Sequence, residues 1–283
     1  MKLFDWLFRS IFYLGASLML LNFFGLFIPL RNPAVELDAM VVPKRASLSR
    51  SEFFDIMGTT DDDAITYARK MTVAVHQSMV DYWYIEGLEK YNLRVPLHEN
   101  WLLYLVFSFV PIEHERMYEF CDYRKAIERG VGFCSQQSMI LDSILDANGI
   151  ESNILEFPNK HVVVTSRFET DAGDQWWILD PDMGVVIEAD IETIQANPEM
   201  IRPYYRAVGH HDETIDYFVD ALSIDYKRHR SVDDYFYPGR CDFEKTSYMV
   251  AWGLPSFFIL VGIYPVIRKK DREKRAKVKS NRF

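Results

Sequence analysis

Two long stretches without a charged residue dominate the hydrophobic pattern of the chain. Ser10 to Leu30 is an uncharged run of 21 residues, and Thr246 to Ile267 is an uncharged run of 22. At a helical rise of ~1.5 Å per residue, each run is long enough to cross a hydrocarbon core of ~30 Å. The pattern therefore predicts transmembrane helices at 10–30 and 246–267.

Each run has an alternative interpretation. Lys2 and Arg9 give the first run the weakly basic start of a cleavable signal peptide. However, its apolar part is longer than a signal peptide needs, and no small-residue cleavage site follows it. The second run could be a buried core helix, yet it contains Pro255 and Pro265, which membrane helices tolerate better than soluble ones. We therefore expect two uncleaved anchors.

The segment between the runs starts with a predicted stalk and several predicted helices. Residues 31–50 contain two prolines and are expected to form the stalk, and 51–245 to form a folded domain. Helical spacing and capping residues predict helices at 51–57, from a cap at Thr60 to about Trp83, at 100–110 and at 119–129. The apolar 100–110 helix is too short to span a membrane, so we expect it in the core.

A series of short strands follows in the sequence. Alternating apolar residues and turn-like dipeptides predict strands at 152–157, 161–168, 175–180 and 184–188, then helices at 191–196, 199–205 and 213–222. We expect an antiparallel meander packed on the helix that precedes it, and hence an α+β domain. The aromatic and acidic residues 233–242 receive no assignment.

The charges are unevenly distributed and orient the two runs. Residues 268–283 carry nine basic and two acidic side chains, whereas 31–246 has a net charge of −17. Basic flanks remain on the cytoplasmic side of a membrane. The ends 1–9 and 268–283 are therefore predicted to be cytoplasmic, and the acidic domain to be translocated. Nucleic acid is the competing partner for the basic tail, but a tail directly after a span favours lipid headgroups.

Candidate chemistry is concentrated at 130–182. Gly130 to Ser138 is a glycine-rich turn leading into a predicted helix, and Cys134 stands at the start of that helix. We expect the positive end of the helix dipole to lower the pKa of the Cys134 thiol. Downstream, His161 opens one predicted strand and Asp180 closes another. The three residues form a candidate nucleophile, base and orienting group.

This segment resembles the transglutaminase-like superfamily, which is related to the papain-type cysteine proteases. The similarity rests on Gly132, Cys134 and Ser138 in the nucleophile turn, Gly149-Ile150 after its helix, His161, and Asp180-Pro181 after Trp176 or Trp177. Two positions depart from the pattern, since Val163 replaces an aromatic residue of many members and Asp182 replaces a threonine. The first departure is expected to change the acyl pocket. The resemblance covers the middle third of the chain.

The resemblance implies a thiol enzyme with a Cys134–His161–Asp180 triad, anchored in the bacterial inner membrane with its domain periplasmic or extracellular. His161 would take the thiol proton, the thiolate would attack an amide or ester carbonyl of a protein or peptide, and the acyl thioester would pass to water or an amine. The Cys134 N–H would stabilise the oxyanion, with Asn100 or Trp101 as a candidate side-chain donor.

A second class of function stays open. The domain could keep the transglutaminase-like fold without catalysis and serve as a scaffold for envelope or polysaccharide assembly proteins. The intact triad favours the enzyme.

The cysteines Cys121, Cys134 and Cys241 leave two interpretations open. An odd number in a translocated domain favours one disulfide and one thiol. If Cys134 is the nucleophile, the pair is Cys121 with Cys241. Alternatively, the cysteines outside the site are buried thiols that form no disulfide.

Metal and nucleotide chemistry find little support in the sequence. The His210–Glu213 cluster lacks a second ligand group and has no zinc-site spacing, so we interpret it as a helix start. The Asp180–Gly184 segment lacks ligands of a calcium loop, with Ile191 at the twelfth position. P-loop and dinucleotide motifs are missing as well. We predict neither a metal nor a cofactor.

Overall fold

The computed structural model describes residues 2–32, 34, 47–59, 62–81, 87–109 and 117–280. The chain forms two compact units. The first, called here the helical unit, contains residues 1–29, 95–110 and 243–283, and the second, the α+β unit, contains residues 30–94 and 111–242. Most of the predicted stalk, 33 and 35–46, lies outside the described residues.

The two uncharged runs lie on long helices. These are α1 (Lys2–Gly25) and α12 (Arg240–Ser280), of which Trp6–Gly25 and Arg240–Asp271 are long and apolar enough to cross a membrane. Both runs are therefore helical as predicted, but α1 ends at Gly25 instead of Leu30. Glycine favours a helix end, and Pro29 disfavours helical backbone in the residue before it.

Within the helical unit, α1 and α12 run antiparallel and approach each other closely. Gly15 faces Phe258, and a Cβ added to this glycine would lie 2.7 Å from the Cβ of Phe258. Gly262 likewise faces Phe12, and its added Cβ would lie 2.5 Å from the Cβ of Phe12. Small residues at such crossings let two backbones pack directly, as is common between membrane helices.

The helix α5 (Trp101–Ser108) belongs to the helical unit, which corrects its prediction as a core helix of the folded domain. Asn100 caps it, as its side-chain oxygen accepts the N–H groups of Leu102 and Leu103 at 3.1 Å each. An apolar run of this length shows only that the helix needs an apolar neighbour. It does not show which element supplies that neighbour.

The α+β unit begins with short helices and a two-stranded parallel ribbon. The helices are α2 (Arg50–Met57), α3 (Ala64–Ser78), α4 (Gly87–Lys90) and α6 (Tyr123–Arg129), and the strands are β1 (Val80–Asp81) and β2 (Val131–Gly132).

The predicted bounds of α3 and α6 were wrong. Asp63 caps α3, because the Asp63 carboxylate accepts the Thr66 N–H at 2.9 Å. The helix ends at Ser78, and Val80 pairs with β2. The predicted cap Thr60 and the predicted end at Trp83 lie outside the described residues. Similarly, α6 starts only at Tyr123, after the N-cap Asp122.

The central sheet has five antiparallel strands in the order β6-β5-β4-β3-β7. Their bounds are β3 (Ser152–Phe157), β4 (His161–Thr170), β5 (Gly173–Asp180), β6 (Val185–Ile187) and β7 (Lys227–His229). The predicted small antiparallel sheet is confirmed, and β7 is a strand that was not predicted.

Helices cover both faces of the sheet. They are α7 (Cys134–Ala147) on one face, and α8 (Ile191–Ala196), a 3₁₀ turn (Pro198–Ile201), α9 (Arg202–Ala207) and α10 (Asp212–Leu222) on the other. Successive strand residues point to opposite faces. Accordingly, Ile154 packs with Met139 of α7, whereas Leu155 packs with Ile215 of α10.

The unassigned residues 233–242 contain most of a short helix, α11 (Val232–Tyr235), and the first turn of α12. A disulfide joins Cys121 to Cys241, with 5.5 Å between the Cα atoms, and leaves Cys134 as a thiol. Of the two interpretations that the sequence left open, the Cys121–Cys241 disulfide is therefore the one present. It ties the segment before α6 to the end of the α+β unit.

Candidate active site

Cys134 is the first residue of α7 and is separated from the end of β2 by Phe133 alone. Its position depends on Gly132, since a Cβ added to this glycine would lie 2.8 Å from the side chain of Gln136 in the next helical turn. The N-cap residue Phe133 makes no side-chain cap hydrogen bond. The first N–H groups of a helix have no acceptor within it, so they require one from elsewhere.

Glu119 acts as a cap for α7 from outside the helix. Its carboxylate accepts hydrogen bonds from the Ser135 hydroxyl and from the Gln136 N–H. Burial raises the pKa of Glu119, while these hydrogen bonds and the charges of Arg129 and Arg240 oppose the rise. A carboxylate is stabilised at a helix N-terminus, so Glu119 fixes the turn that presents the thiol.

A buried amide pair fixes the same turn from the opposite side. The Gln136 side chain accepts the Phe120 N–H at 2.7 Å and donates to the Phe120 carbonyl at 2.9 Å. Arg129 donates to the Gln136 oxygen at 3.2 Å and to the carbonyl of Val131 at 2.8 Å. Because all these groups are buried and bonded, the nucleophile turn is rigidly supported.

His161 opens β4 after a tight turn. The Lys160 N–H donates to the Phe157 carbonyl at 3.0 Å, and His161 is paired with Phe157 across the two strands. One turn into α7, the Ser138 hydroxyl donates to the Val162 carbonyl at 2.9 Å. This bond joins the nucleophile helix to the strand directly beside His161, which gives the small residue four places after Cys134 a structural purpose.

Asp180 closes β5 and is completely buried. Its Oδ2 receives Nε2 of His161 at 2.8 Å and the hydroxyl of Tyr205 at 2.7 Å. Its Oδ1 accepts the N–H groups of Asp182 and Met183 at 3.2 and 3.1 Å. Burial works against the charge, but the His161 contact and these hydrogen bonds lower the pKa of Asp180, which stays ionised.

The Cys134 thiol and the His161 imidazole interact, and each shifts the pKa of the other. Because Nε2 is held by Asp180, the ring nitrogen available to the thiol is Nδ1. Burial opposes the charged imidazolium, but Asp180 and Cys134 raise the pKa of His161 well above its ordinary value. The three predicted residues are therefore brought together at one place, with His161 between the thiol and the carboxylate.

The expected lowering of the thiol pKa was wrong in direction. Burial raises the pKa of Cys134, and the negative charges of Asp182 and Asp81 add to the rise, while His161 opposes it. The helix start alone favours the thiolate, but desolvation of the sulfur outweighs that effect. A thiolate at Cys134 would consequently require transfer of the thiol proton to His161.

An aromatic stack covers the His161–Asp180 pair. The Phe218 ring lies 4.7 Å from the imidazole centroid, and Tyr205 stacks on Phe218 at 5.0 Å with 7° between the planes. Both aromatic side chains are almost fully buried. The stack excludes water from the hydrogen bond between imidazole and carboxylate, and a less polar surrounding strengthens that bond.

The thiol opens into a cleft of about 670 Å³ within the α+β unit. Its walls come from the start of α7, the β3–β4 turn, the segment after β5, and helices α10 and α11. Polar groups on the wall include Asp81, Asp182, Lys160, Tyr217 and Glu213. A cleft of this size accommodates a peptide side chain or a small acyl group.

Asp182 is held in place beside the thiol. Its Oδ1 accepts the Gln137 side-chain amide at 2.6 Å, and its carbonyl oxygen lies 2.7 Å from Nδ1 of His76. This residue replaces the threonine of the family pattern, and the structure shows that its carboxylate is part of the cleft wall.

Other sequence-based candidates lie elsewhere. Asn100 donates its amide to Ser247 at 2.9 Å, and Trp101 donates its indole N–H to Ala251 at 3.3 Å, both within the helical unit. These two donors are thus already used there. Val163 packs in the core and not in the acyl cleft, which corrects the expected effect of that departure.

Sequence reasoning missed Tyr205, Phe218 and Asp81. The helical spacing of Ile215, Phe218 and Leu222 does indicate that one face of α10 is buried. However, no local pattern states that this face covers a histidine. Asp81 and Tyr205 carry no local signal at all.

No family model matches the chain, and no curated protein or solved structure matches it significantly. In the part of the chain that the structure describes, no group of three or more His, Cys, Asp or Glu side chains is arranged to hold a metal ion.

Proposed function

We propose that the chain is a membrane-anchored thiol enzyme of the transglutaminase-like type that acts on amide or ester acyl groups outside the cytoplasm. The observation that carries the proposal is the interaction of the Cys134 thiol with His161, which is bonded in turn to the buried Asp180 at 2.8 Å, at the wall of a cleft. A thiol, an imidazole and a carboxylate from three separate elements meet in the order that nucleophilic catalysis requires.

Each member of the triad has a defined task. Nδ1 of His161 takes the proton from the Cys134 sulfur, and the thiolate attacks the substrate carbonyl carbon. His161 then returns the proton to the leaving amine or alcohol, and an acyl thioester on Cys134 remains. Water or an amine attacks the thioester, His161 accepts its proton, and the thiol is restored. Asp180 holds the imidazole orientation and stabilises its positive charge throughout.

The oxyanion is stabilised from the start of α7. Cys134 is the first residue of the helix, so its N–H has no acceptor within α7 and lies beside the reacting carbon. The positive end of the helix dipole adds to the stabilisation of the negative oxygen. Glu119 and Gln136 keep this N–H in place because they hold the next residues of the helix.

Three observations support an anchored domain outside the cytoplasm. Two antiparallel helices are apolar enough to span, so both chain ends reach the same side. The basic flanks 1–9 and 268–283 place that side in the cytoplasm. The Cys121–Cys241 disulfide fits an oxidising compartment. A bacterial inner membrane, with the domain in the periplasm, agrees with all three.

The proposal is tested with a thiol-directed activity probe on the full chain in detergent. We expect the wild type to be labelled near neutral pH, Cys134→Ala to be unlabelled, and His161→Ala to lose most labelling, because the thiol then has no base. His211→Ala is the matched control, since this exposed histidine lies outside the cleft lining. It should label like the wild type.

Two outcomes would contradict the enzyme. Equal labelling of the wild type and His161→Ala would show that the imidazole does not activate the sulfur. Equal labelling of Cys134→Ala would place the reactive group elsewhere. In either case the non-catalytic scaffold, which binds envelope or polysaccharide assembly proteins, becomes the better interpretation.

The acyl acceptor is determined by trapping. The full chain is incubated with a peptide library, and thioesters on Cys134 are identified by mass spectrometry. Added primary amine then competes with water for the trapped thioester. Amide products identify a transferase, and free acids in the presence of amine identify a hydrolase.

A further inference from the structure

We infer that α5 is a third membrane-contacting element, which lies in the outer interfacial layer of the bilayer with Leu105, Val106 and Phe109 against lipid acyl chains. This inference rests on the proposed anchoring by α1 and α12, and it is independent of the thiol chemistry. It assigns a hydrocarbon surface to a segment that has the length of a short soluble helix.

The helix α5 is attached to the candidate span α12 through the carbonyl of Ala251. Pro255 has no N–H, so it leaves the carbonyl of Ala251, four residues earlier, without its helical donor. Two side chains supply donors instead. Asn22 of α1 donates to this carbonyl at 2.7 Å, and the indole of Trp101 donates to it at 3.3 Å. One backbone oxygen thus joins all three helices of the helical unit.

Further contacts place the start of α5 along α12. Asn100 donates to Ser247, and the Tyr248 hydroxyl donates to Glu99 at 2.8 Å. Ala251 is only about one and a half helical turns inside the uncharged run that begins at Thr246. Tryptophan is enriched at this level of membrane proteins, where the indole has one polar and one apolar neighbour.

One surface of α5 is left uncovered. Leu105, Val106 and Phe109 are 45%, 42% and 83% exposed, although Trp101 and Leu103 are buried. A row of exposed large apolar side chains requires an apolar neighbour.

Exposed large apolar side chains are unevenly distributed over the two units. In the part of the chain that the structure describes, the exposed large apolar residues of the α+β unit are Val73, Val208, Tyr217 and Tyr237, and all the others belong to the helical unit. The α5 surface therefore continues the apolar surface of the two candidate spans. Lipid is the occupant that covers all three helices at once.

The test uses the full chain in phosphatidylcholine–phosphatidylglycerol vesicles. Single cysteines, Val106→Cys or Phe109→Cys, are introduced in a Cys134→Ser chain that keeps its disulfide, and they carry an environment-sensitive fluorophore. Emission is quenched either by lipids with a doxyl group or by iodide in the water. Leu260→Cys, in the apolar run of α12, is the membrane reference, and Val208→Cys, in the α+β unit, is the water reference.

We expect labels at 106 and 109 to lose emission to doxyl lipids as strongly as the label at 260, and to be protected from iodide. Behaviour like that of the label at 208 would overturn the inference while leaving the anchoring intact. Protection from iodide without lipid quenching would also overturn it, since a second copy of the chain would then cover α5. Loss of lipid quenching at 260 would instead contradict the anchoring itself.

Discussion

The Tyr205 hydroxyl donates a hydrogen bond to Oδ2 of Asp180 at 2.7 Å, and Nε2 of His161 lies 2.8 Å from the same oxygen. The tyrosine therefore competes with the histidine for the charge of one carboxylate oxygen. It lies on a different helix from any triad residue, and it also stacks on the phenylalanine that covers the imidazole. If the proposed triad is catalytic, Tyr205 is expected to act as a positioning residue for it.

Replacement Tyr205→Phe removes the hydroxyl but keeps the stacked ring. We expect Asp180 to become a stronger acceptor for His161, so that the pKa of His161 rises further. A change of about 1 kcal/mol in this charged hydrogen bond shifts the pKa of His161 by slightly less than ~1 unit. The measurement is the pH profile of Cys134 alkylation, in which the alkaline limb should move upward.

Tyr204→Phe is the matched control for this experiment, as Tyr204 is the preceding residue of α9 and makes no contact with Asp180 that the structure shows in the described residues. Its profile should coincide with that of the wild type. A Tyr205→Phe profile that is lower at every pH, with unmoved limbs, would mean that the tyrosine only stabilises the fold.

The contrast between Tyr205 and the triad shows what the sequence could predict. His161 and Asp180 each stand at a strand end, and a strand end is visible locally from alternating residues and turn residues. Tyr205 reaches Asp180 across 25 positions because α9 packs on the far face of the sheet. No local pattern states that packing.

The predictions of the Cys134 pKa and of the position of α5 were wrong for a similar reason. The dipole of α7 follows from the sequence, but the burial that raises the thiol pKa depends on residues from five other segments of the chain. The apolar character of α5 was correctly identified. Whether such a helix packs in a domain core or beside membrane spans is decided by distant partners such as Ser247 and Ala251.

Asp142 should make the α+β unit more stable in mild acid than at neutral pH. It is buried within α7, and desolvation together with the charge of Asp146 raises its pKa to about 6, partly offset by a hydrogen bond from Ser152 at 2.7 Å. The folded chain thus holds this proton more tightly than the unfolded chain. The buried charge of Asp142 therefore lowers the free energy of unfolding. This loss is absent below the pKa of Asp142 in the unfolded chain, grows as the pH rises to about 6, and stays constant above that.

Asp142→Asn should remove that penalty, because an amide still accepts from Ser152 and carries no charge. The pKa difference corresponds to about 3 kcal/mol as an upper limit, so we expect a gain of about 1–3 kcal/mol at pH 7.5 and none at pH 3.5. Denaturant unfolding at both pH values measures it. Asp146→Asn, one turn later and exposed, removes only the smaller repulsion on Asp142 and should gain less. An equal gain from both variants would exclude burial as the cause.

Loss of the disulfide should destabilise the α+β unit at any pH. The Cys121–Cys241 bond closes a loop that contains α6, α7 and the whole sheet, and a cross-link of that length restricts the unfolded chain. We expect Cys121→Ser with Cys241→Ser to lower the free energy of unfolding by about 2–5 kcal/mol.

Reductant provides the second arm of the disulfide experiment. Wild type treated with reductant should unfold like the double variant and should change mobility on a gel, whereas Cys121→Ser should show no such change. Cys134→Ser should keep both the mobility shift and the stability. A wild type that is indifferent to reductant would show that the bond does not form in the protein as produced.

The last prediction concerns the carbonyl of Ala251. A side-chain amide inside an apolar span is costly unless it is hydrogen-bonded. The buried Asn22 amide donates to the Ala251 carbonyl, the group that lacks a helical N–H donor because of Pro255. Asn22→Leu should therefore weaken the α1–α12 pair by about 0.6–2 kcal/mol, measured by detergent-induced unfolding. In a Pro255→Ala chain, the N–H of residue 255 can serve Ala251 again, so the same replacement should cost less. A loss of equal size in both chains would show that Asn22 acts through packing and not through this hydrogen bond.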